Sequence, residues 1–273
     1  MAFLTEPEPQ RGAVLPVSPG ISRIVAPNPG PMTYHGTNTY LIASPEGFIV
    51  LDPGPDDATH LRAVLDATGG RVAKIVLSHT HIDHLAGLPA LQAATGAPSY
   101  GFHASAEASF TPDHPLRDGD TVGEWTAIYT PGHAIDHLCF ARADGVVFTA
   151  DHVMSWSSSI VSPPNGNMTS YFNSLHILLA REDSLYLPGH GPPIEDTRGF
   201  TQFLLAHRQQ REAAIVAALA DAPKGARAIT ERLYTDVHPR LLPAAERNVT
   251  AHLHKLRDEG RAVEEAAAWR LIR

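Results

Sequence analysis

The chain has 273 residues, of which 43% are hydrophobic and 18% are charged, a composition that argues against a disordered protein. The net charge of −8 is uneven, because residues 1–199 carry 9 basic and 20 acidic side chains whereas residues 200–273 carry 12 and 9. This acidic body argues against non-specific binding of nucleic acid. The single cysteine, Cys139, excludes an intramolecular disulfide and a cysteine-rich zinc site, so a metal would need His and carboxylate ligands.

From the amino-terminal residues we expect no signal for export. Residues 1–12 contain Glu6 and Glu8 where a secretory signal has basic residues, and no apolar core follows them. No stretch approaches the roughly 18 uninterrupted apolar residues of a membrane-spanning helix. We therefore expect a cytoplasmic protein without a membrane partner.

Short apolar runs closed by turn residues follow an irregular lead-in of thirty residues that is rich in Pro and Gly. These runs predict strands at 39–43, 48–51, 74–78, 98–101, 126–129, 138–141, 146–149 and 185–187. Apolar residues at helical spacing predict helices at 57–67 and 83–94. Strands that alternate with helices indicate a layered α/β fold.

The later part of the chain changes from loop to helix. Residues 154–168 are rich in Ser and Pro and predict an exposed loop on the substrate side. Helical patterns then cover 200–220, 230–234 and 243–259, and a hairpin is expected at 262–265 and 268–272. Three helices and a hairpin outline a winged helix, which divides the chain into domains 1–199 and 200–273.

Residues 78–84, Ser-His-Thr-His-Ile-Asp-His, carry the main chemical signal. On extended backbone, residues two apart project to the same side, so His79 and His81 can meet on one metal ion. Asp83 and His84 fall at the start of the next helix and can serve a second ion. Surface histidines and a capping Asp83 are the competing structural explanation, but four fixed positions between a strand and a helix favour a metal site. Imidazole and carboxylate suit zinc, with manganese or iron as alternatives.

This His-x-His-x-Asp-His run at a strand end resembles the signature of the metallo-β-lactamase superfamily, whose fold is a four-layer αββα sandwich. The resemblance covers roughly residues 21–194 and extends to three later motifs: Thr-Pro-Gly-His ending at His133, Phe-Thr-Ala-Asp ending at Asp151, and Leu-Pro-Gly-His-Gly around His190. Gly-Thr-Asn-Thr-Tyr-Leu at 36–41, Leu-Asp-Pro-Gly at 51–54 and the winged-helix tail look like the β-lactamase-like protein 2 group. That group usually has Gly before the bridging Asp, where this chain has Ala150.

The resemblance implies a dizinc hydrolase in which a metal-bridging hydroxide attacks a small-molecule carbonyl ester, thioester or lactam. It assigns the first ion to His79, His81 and His133, the second to Asp83, His84 and His190, and both ions to a bridging Asp151. Asp83 and Asp151 are the implied catalytic residues. Asp83 could orient the water or pass a proton to the leaving group.

Other polar residues are weaker candidates. Asp52 either fixes a ligand imidazole or only forms a turn. His137 is expected to be structural, and His152 should point away from the site. In the family, the substrate cleft would include Tyr34, His35 and Tyr171.

Two further functions stay open at this point. RNA is a conceivable substrate, because relatives in the superfamily cut RNA with similar ligands, so the chain could be an endoribonuclease or phosphodiesterase. The winged helix could instead bind DNA and make the protein a regulator with a metallohydrolase-like sensor domain. Basic residues in the tail alternate with acidic ones, however, which favours a cover for the active site or a homodimer contact.

Overall fold

The computed structural model describes residues 1–220 and 222–272, which form two compact units. The first unit comprises Met1–Thr130, Asp136–Ser158 and Glu182–Thr197, and the second comprises Pro131–Ile135, Ser159–Arg181 and Arg198–Arg273. The second unit therefore draws two short segments from earlier in the chain as well as its carboxyl-terminal part. A domain boundary between residues 199 and 200 stays a prediction.

A seven-stranded sheet with its strands in chain order forms the larger half of the first unit. Its first four strands pair antiparallel and the pairs from β4 to β7 are parallel. The strands are β1 Leu15–Ser18, β2 Ile21–Val25, β3 Asn38–Ser44, β4 Gly47–Leu51, β5 Val72–Val76, β6 Ser99–Phe102 and β7 His114–Leu116.

A second sheet has the strand order β12-β11-β10-β9-β8. Its pairs are antiparallel except for the parallel pair of β11 and β12. The strands are β8 Thr121–Val122, β9 Trp125–Tyr129, β10 Leu138–Ala141, β11 Val146–Ala150 and β12 Leu185–Pro188.

The alternation of side chains along the strands builds two apolar layers in the first unit. On β3 and β4, Ile42 and Leu51 join a core shared with Phe140 and Phe148 of the second sheet. Their neighbours along each strand, such as Val50, point to the opposite face, where they pack with residues of the helices. The first sheet is therefore buried on both faces, which explains why its strands read as continuous apolar runs.

The helices of the first unit are α1 Ala58–Thr68, α2 Ile82–Leu85 and α3 Leu88–Thr95. The prediction of one helix over 83–94 is wrong, because the chain breaks between α2 and α3. Gly87 packs against the preceding loop, its amide donating to the carbonyl of Gly54 at 2.8 Å. Pro89 has no amide hydrogen with which to continue a helix from α2. The break confines the predicted ligands Asp83 and His84 to a helix of one turn.

The second unit contains the predicted winged-helix elements. Its helices are α4 Met168–Leu179, α5 Thr197–Ala220, α6 Ala226–Leu233 and α7 Leu242–Asp258, with the first residue of α5 in the first unit. The hairpin of β13 Ala262–Glu265 and β14 Ala268–Leu271 closes the chain. Val249, Leu253 and Leu256 lie on one stripe of α7 and pack with Trp269 of the hairpin. In the part of the chain that the structure describes, no helix is both long enough and apolar enough to cross a membrane.

Three regions differ from the sequence-based expectation. The lead-in is not wholly irregular, since it holds β1 and β2, and Ile21 and Ile24 of β2 are buried. Helix α4 was not predicted, because polar residues interrupt its apolar pattern; the side chain of Asn167 caps it by accepting from the amide of Ser170. Residues 154–167 are irregular as predicted but not uniformly exposed, because Met154, Ser155, Ser159 and Val161 are among the buried residues.

Candidate metal centre

The His-x-His-x-Asp-His motif follows β5 and runs into α2, as its pattern predicts. The backbone is still extended at His81, with φ −64° and ψ 146°, and α2 begins at the next residue. Nε2 of His79 lies 2.9 Å from Nδ1 of His81, and the rings of His79 and His84 lie 4.3 Å apart. The change from strand to helix therefore gathers imidazoles that a continuous strand would place on opposite sides.

The carboxylates of Asp83 and Asp151 lie close to two imidazoles and complete a second set of candidate ligand atoms. Nε2 of His84 lies 3.5 Å from Oδ2 of Asp83 and 3.5 Å from Oδ1 of Asp151. Nε2 of His190 lies 3.2 Å from the same oxygen of Asp83 and 3.5 Å from the same oxygen of Asp151. The ligand atoms of His79, His84 and Asp151 also lie within 4.8 Å of one another. One carboxylate, that of Asp151, is thus close to three imidazoles.

His133 belongs to the second unit and is buried there. Its Nδ1 lies 2.6 Å from the carbonyl oxygen of Ile160. A carbonyl oxygen can only accept, so Nδ1 carries the hydrogen and Nε2 carries the lone pair that could bind a metal.

The buried carboxylate of Asp52 contacts Ser78 and His84 of the motif. Its Oδ1 accepts from the amide of Ser78 at 2.8 Å, and its Oδ2 accepts from the hydroxyl of Ser78 at 2.7 Å and lies 2.9 Å from Nδ1 of His84. Because the Ser78 hydrogen points to Asp52, the hydroxyl oxygen, 3.0 Å from Nδ1 of His79, accepts from that ring. In a metal-bound form, each ring would then keep its hydrogen on Nδ1 and bind the ion through Nε2. The geometry supports the interpretation of Asp52 as a partner of the ligands, and it reveals a role for Ser78 that was not predicted.

The run Gly-Thr-Asn-Thr-Tyr-Leu at 36–41 holds the turn that carries His190. The side-chain amide of Asn38 donates to the carbonyls of Pro188 at 2.9 Å and Gly191 at 3.0 Å, and the hydroxyl of Tyr40 donates to Pro188 at 2.7 Å. The carbonyl of Gly36 lies 3.2 Å from Nδ1 of His190, which must donate to it. The sequence signal that could have revealed this role is the presence of polar residues within an otherwise apolar strand, because polar groups buried there need hydrogen-bond partners.

The two Pro-Gly-His runs need glycine because another group lies against each. A Cβ on Gly189 would overlap Oδ1 of Asp151 and would lie 2.9 Å from Cε1 of His84. In the second unit, a Cβ on Gly132 would overlap the backbone of Tyr171, and the φ of 145° at Gly132 also favours glycine. The motif therefore allows close approach as well as supplying a histidine.

Charge in the first unit favours a bound cation. Burial lowers the pKa of His190, but Asp151 and Asp83 outweigh it and raise that pKa to about 9. Burial likewise opposes the shift at His84, whose pKa nevertheless lies well above its usual value because of Asp83, Asp151 and Asp52. Burial raises the pKa of both Asp83 and Asp151, yet the neighbouring imidazoles of His84 and His190 bring each below its usual range. Ionised carboxylates here attract positive charge, whether protons or a metal ion.

The donor set fits a transition-metal ion. Nε2 of His84 is fully buried and has no hydrogen-bond partner within residues 1–220 and 222–272. A buried nitrogen of this kind needs a partner, and a cation would supply one. Four imidazoles and two carboxylates in the first unit provide the nitrogen and oxygen ligands that zinc, manganese and iron accept.

Comparison with known proteins agrees with this geometry. Residues 32–190 match the family described as the Metallo-beta-lactamase superfamily. The chain belongs to the metallo-beta-lactamase superfamily. Residues 226–269 match the beta-lactamase-associated winged helix domain. The protein is accordingly a metal-dependent hydrolase with a metallo-beta-lactamase sandwich and a carboxyl-terminal winged helix, which confirms the expected fold class.

Similar proteins extend over nearly the whole chain. A Beta-lactamase-like protein 2 homolog of Drosophila melanogaster is 30% identical over 271 residues, which cover 91% of each chain. A beta-lactamase domain protein of Burkholderia ambifaria shares the fold, with a TM-score of 0.85, 22% identity, and coverage of 97% of this chain and 95% of that one. A protein solved in a di-iron-bound form matches with a TM-score of 0.56 and 26% identity, covering 66% of this chain and 96% of that one. The predicted resemblance to the β-lactamase-like protein 2 group is confirmed.

The remaining candidate residues of this metallo-beta-lactamase fold have structural contacts. Nδ1 of His137 lies 2.9 Å from the hydroxyl of Thr130, and the His137 ring lies 5.2 Å from that of His79. His152 is buried, 5.8 Å from the His137 ring. Among the described residues, the groups with metal-holding geometry include neither of these histidines.

The predicted substrate residues are also engaged elsewhere. The Tyr34 hydroxyl accepts from the amide of Glu6 at 3.0 Å, and Nε2 of His35 lies 3.0 Å from the carbonyl of Glu6. Tyr171 is fully buried in the second unit beneath the guanidinium of Arg208, 5.1 Å from its ring. The expectation that Tyr171 lines the substrate cleft is wrong, because its side chain presents no surface to a substrate.

Proposed function

We propose that this hydrolase binds two divalent cations, zinc in the first instance, and cleaves a small carbonyl ester, thioester or lactam. The observation that supports it most is the position of Asp151. Its Oδ1 lies 3.5 Å from the imidazoles of both His84 and His190, and its ligand group also includes His79. A carboxylate close to imidazoles of both predicted sets is suited to bridge two ions.

We assign the ligands to the two ions as the family resemblance implies. His79 and His81 would hold the first ion with His133, whose assignment rests on its motif and on the lone pair at Nε2. Asp151 would bridge, and the second ion would be held by Asp83, His84 and His190. When bound, the ions would lower the pKa of a water molecule and polarise the carbonyl under attack.

Asp83 is the residue best placed to move a proton. Its side chain is 24% exposed whereas that of Asp151 is 9% exposed, so Asp83 is the carboxylate with better access to solvent and leaving group. The hydroxyl of Thr37 lies 3.4 Å from Oδ2 of Asp83 and helps to hold its orientation. We assign the proton transfer to Asp83 and the bridging position to Asp151.

The charge of the chain supports the substrate class, and the ligand chemistry supports the choice of metal. The acidic balance of residues 1–199 disfavours a long polyanion, so a small carbonyl compound is preferred over RNA. Zinc is preferred for a set of imidazoles and carboxylates, and the similar di-iron protein makes iron the first alternative.

Metal analysis combined with a substrate panel tests the proposal. We expect about two metal ions per purified chain and hydrolysis of an ester, thioester, lactone or lactam, with a loss of more than about 100-fold in Asp151→Ala. Asp66→Ala, which removes an exposed carboxylate of α1, is the matched control and should keep full activity. Full activity in Asp151→Ala would overturn the two-ion proposal. Preferential cleavage of RNA or phosphodiesters would overturn the substrate class alone.

A further inference from the structure

Three consecutive residues of the second unit, 159–161, are each held at the backbone by a different side chain. The guanidinium of Arg208 donates to the carbonyl of Ser159. Nδ1 of His133 donates to the carbonyl of Ile160 at 2.6 Å. The amide of Val161 donates to Oδ1 of Asn248 at 2.9 Å. The carbonyl that fixes the proposed ligand His133 thus lies between two anchored residues.

Arg208 and Asn248 form one buried unit. Arg208 on α5 is 1% exposed and Asn248 on α7 is 8% exposed. A second nitrogen of the guanidinium lies 3.3 Å from Oδ1 of Asn248, so the same oxygen accepts from Arg208 and from Val161. Burying a guanidinium is unfavourable unless it donates hydrogen bonds, and here two of its nitrogens donate, one to the backbone of Ser159 and one to Asn248.

The face of α7 that carries Asn248 is directed to other helices of the second unit. Lys255, two turns further along, contacts Glu212 of α5 at 2.9 Å and lies 5.1 Å from the ring of Phe172 on α4. His252, which lies between Asn248 and Lys255 on α7, is 3.4 Å from Glu212. In DNA-binding relatives of this fold, such a helix offers its side chains to the major groove. Here these positions are already occupied by the protein itself.

We propose that Arg208 and Asn248 are positioning residues of the metal centre: by fixing residues 159–161 they hold the Ile160 carbonyl that orients the His133 ring. This inference rests on the proposed function, in which His133 binds the first ion. A fixed acceptor at Nδ1 keeps the lone pair on Nε2 and sets the angle of the ring. Through Asn248 the winged helix would support metal binding indirectly, by way of residues 159–161 and the His133 ring.

The test compares Asn248→Ala with the conservative Asn248→Asp in the full chain. Asn248→Ala should lower the affinity for one of the two zinc ions about tenfold, which is the lower end of the range for residues that contact metal ligands. The affinity for the other ion should not change. Asn248→Asp keeps an oxygen that accepts both hydrogen bonds and should recover most of the affinity. Thr250→Ala, which removes a hydroxyl bonded to Glu246 in the same helix, should match the wild type.

Competition with a chelator measures the two zinc affinities, and the absorption spectrum of the cobalt-substituted protein reports ligand geometry independently of activity. The Asn248→Ala spectrum should change, and that of Asn248→Asp should return toward the wild type. If Asn248→Ala does not fold, Asn248→Ser and Arg208→Lys take its place, and their zinc affinities and cobalt spectra should differ from those of the wild type in the same direction. Wild-type affinities in a folded Asn248→Ala protein that is merely less stable would overturn this inference alone. A wild-type chain that binds neither zinc nor iron would instead overturn the proposed function on which the inference depends.

Discussion

The carboxylate of Asp52 lies 2.9 Å from Nδ1 of His84, and the same oxygen takes the hydroxyl hydrogen of Ser78 at 2.7 Å. Ser78 in turn lies 3.0 Å from Nδ1 of His79. One buried carboxylate therefore sets the tautomers of two proposed ligands, one directly and one through a hydroxyl. When a metal is bound, both imidazoles would keep the hydrogen on Nδ1 and offer Nε2 to the ion.

Replacing Asp52 should therefore weaken metal binding without removing a ligand. We expect Asp52→Ala to lower zinc affinity about ten- to hundredfold, because His79 and His84 lose their fixed tautomers. Chelator competition measures this loss. Asp56→Ala, at the exposed position four residues further along, is the control. Equal affinities in the two variants would show that Asp52 only forms a turn.

Gly189→Ala should damage the metal centre by steric overlap. The new methyl group would meet Oδ1 of Asp151 and Cε1 of His84, so these two proposed ligands must move. We expect a loss of more than about tenfold in zinc affinity, with activity falling in parallel. At Gly225 the nearest atom to an added Cβ is the Ala267 carbonyl oxygen at 3.5 Å, so Gly225→Ala should bind metal normally. A fully loaded, active Gly189→Ala protein would contradict this packing argument.

Ala150 adopts a φ of 40°, a conformation that glycine tolerates better. Relief of this strain should offset the greater freedom of glycine in the unfolded chain, so Ala150→Gly should keep the free energy of unfolding or raise it by up to about 1 kcal/mol. Ala127→Gly, at an ordinary strand position on β9 of the same sheet, should instead lose about 1 kcal/mol. Denaturant titration compares the two, and an equal loss in both would rule out strain at Ala150.

The buried His60 ring should make the free energy of unfolding depend on pH. Burial lowers the pKa of His60 to about 4, with Asp57 opposing the shift, so the folded chain keeps the ring neutral where the unfolded chain protonates it. Stability should fall by up to about 1.4 kcal/mol per pH unit as pH drops from about 6.5 to about 4. His60→Gln should reduce this slope, whereas His103→Gln, at an exposed position, should not. Denaturation across this pH range provides the measurement, and an unchanged slope in His60→Gln would refute the assignment.

Local pattern was sufficient to predict much of the molecule. The His-x-His-x-Asp-His run is contiguous, so a strand followed by a helix fixes its geometry, and the apolar runs of both sheets predicted most strands within one or two residues. The winged helix was also predictable, because its core is built from a helical stripe and a hairpin close together in sequence.

The remaining features depend on contacts between distant residues. A turn-forming Asp and a partner of a ligand look the same in sequence, and only the fold brings Asp52 to His84, 32 residues away. The break before α3 depends on the contact of Gly87 with Gly54. Tyr171 was misassigned because its burial beneath Arg208 leaves no trace in the local pattern.

A diffraction experiment at the zinc absorption edge on zinc-loaded crystals tests the central claim most directly. We predict two anomalous peaks, one contacted by His79, His81 and His133 and the other by Asp83, His84 and His190, with Asp151 contacting both. A single peak, or two peaks with no ligand from Asp151, would contradict the account.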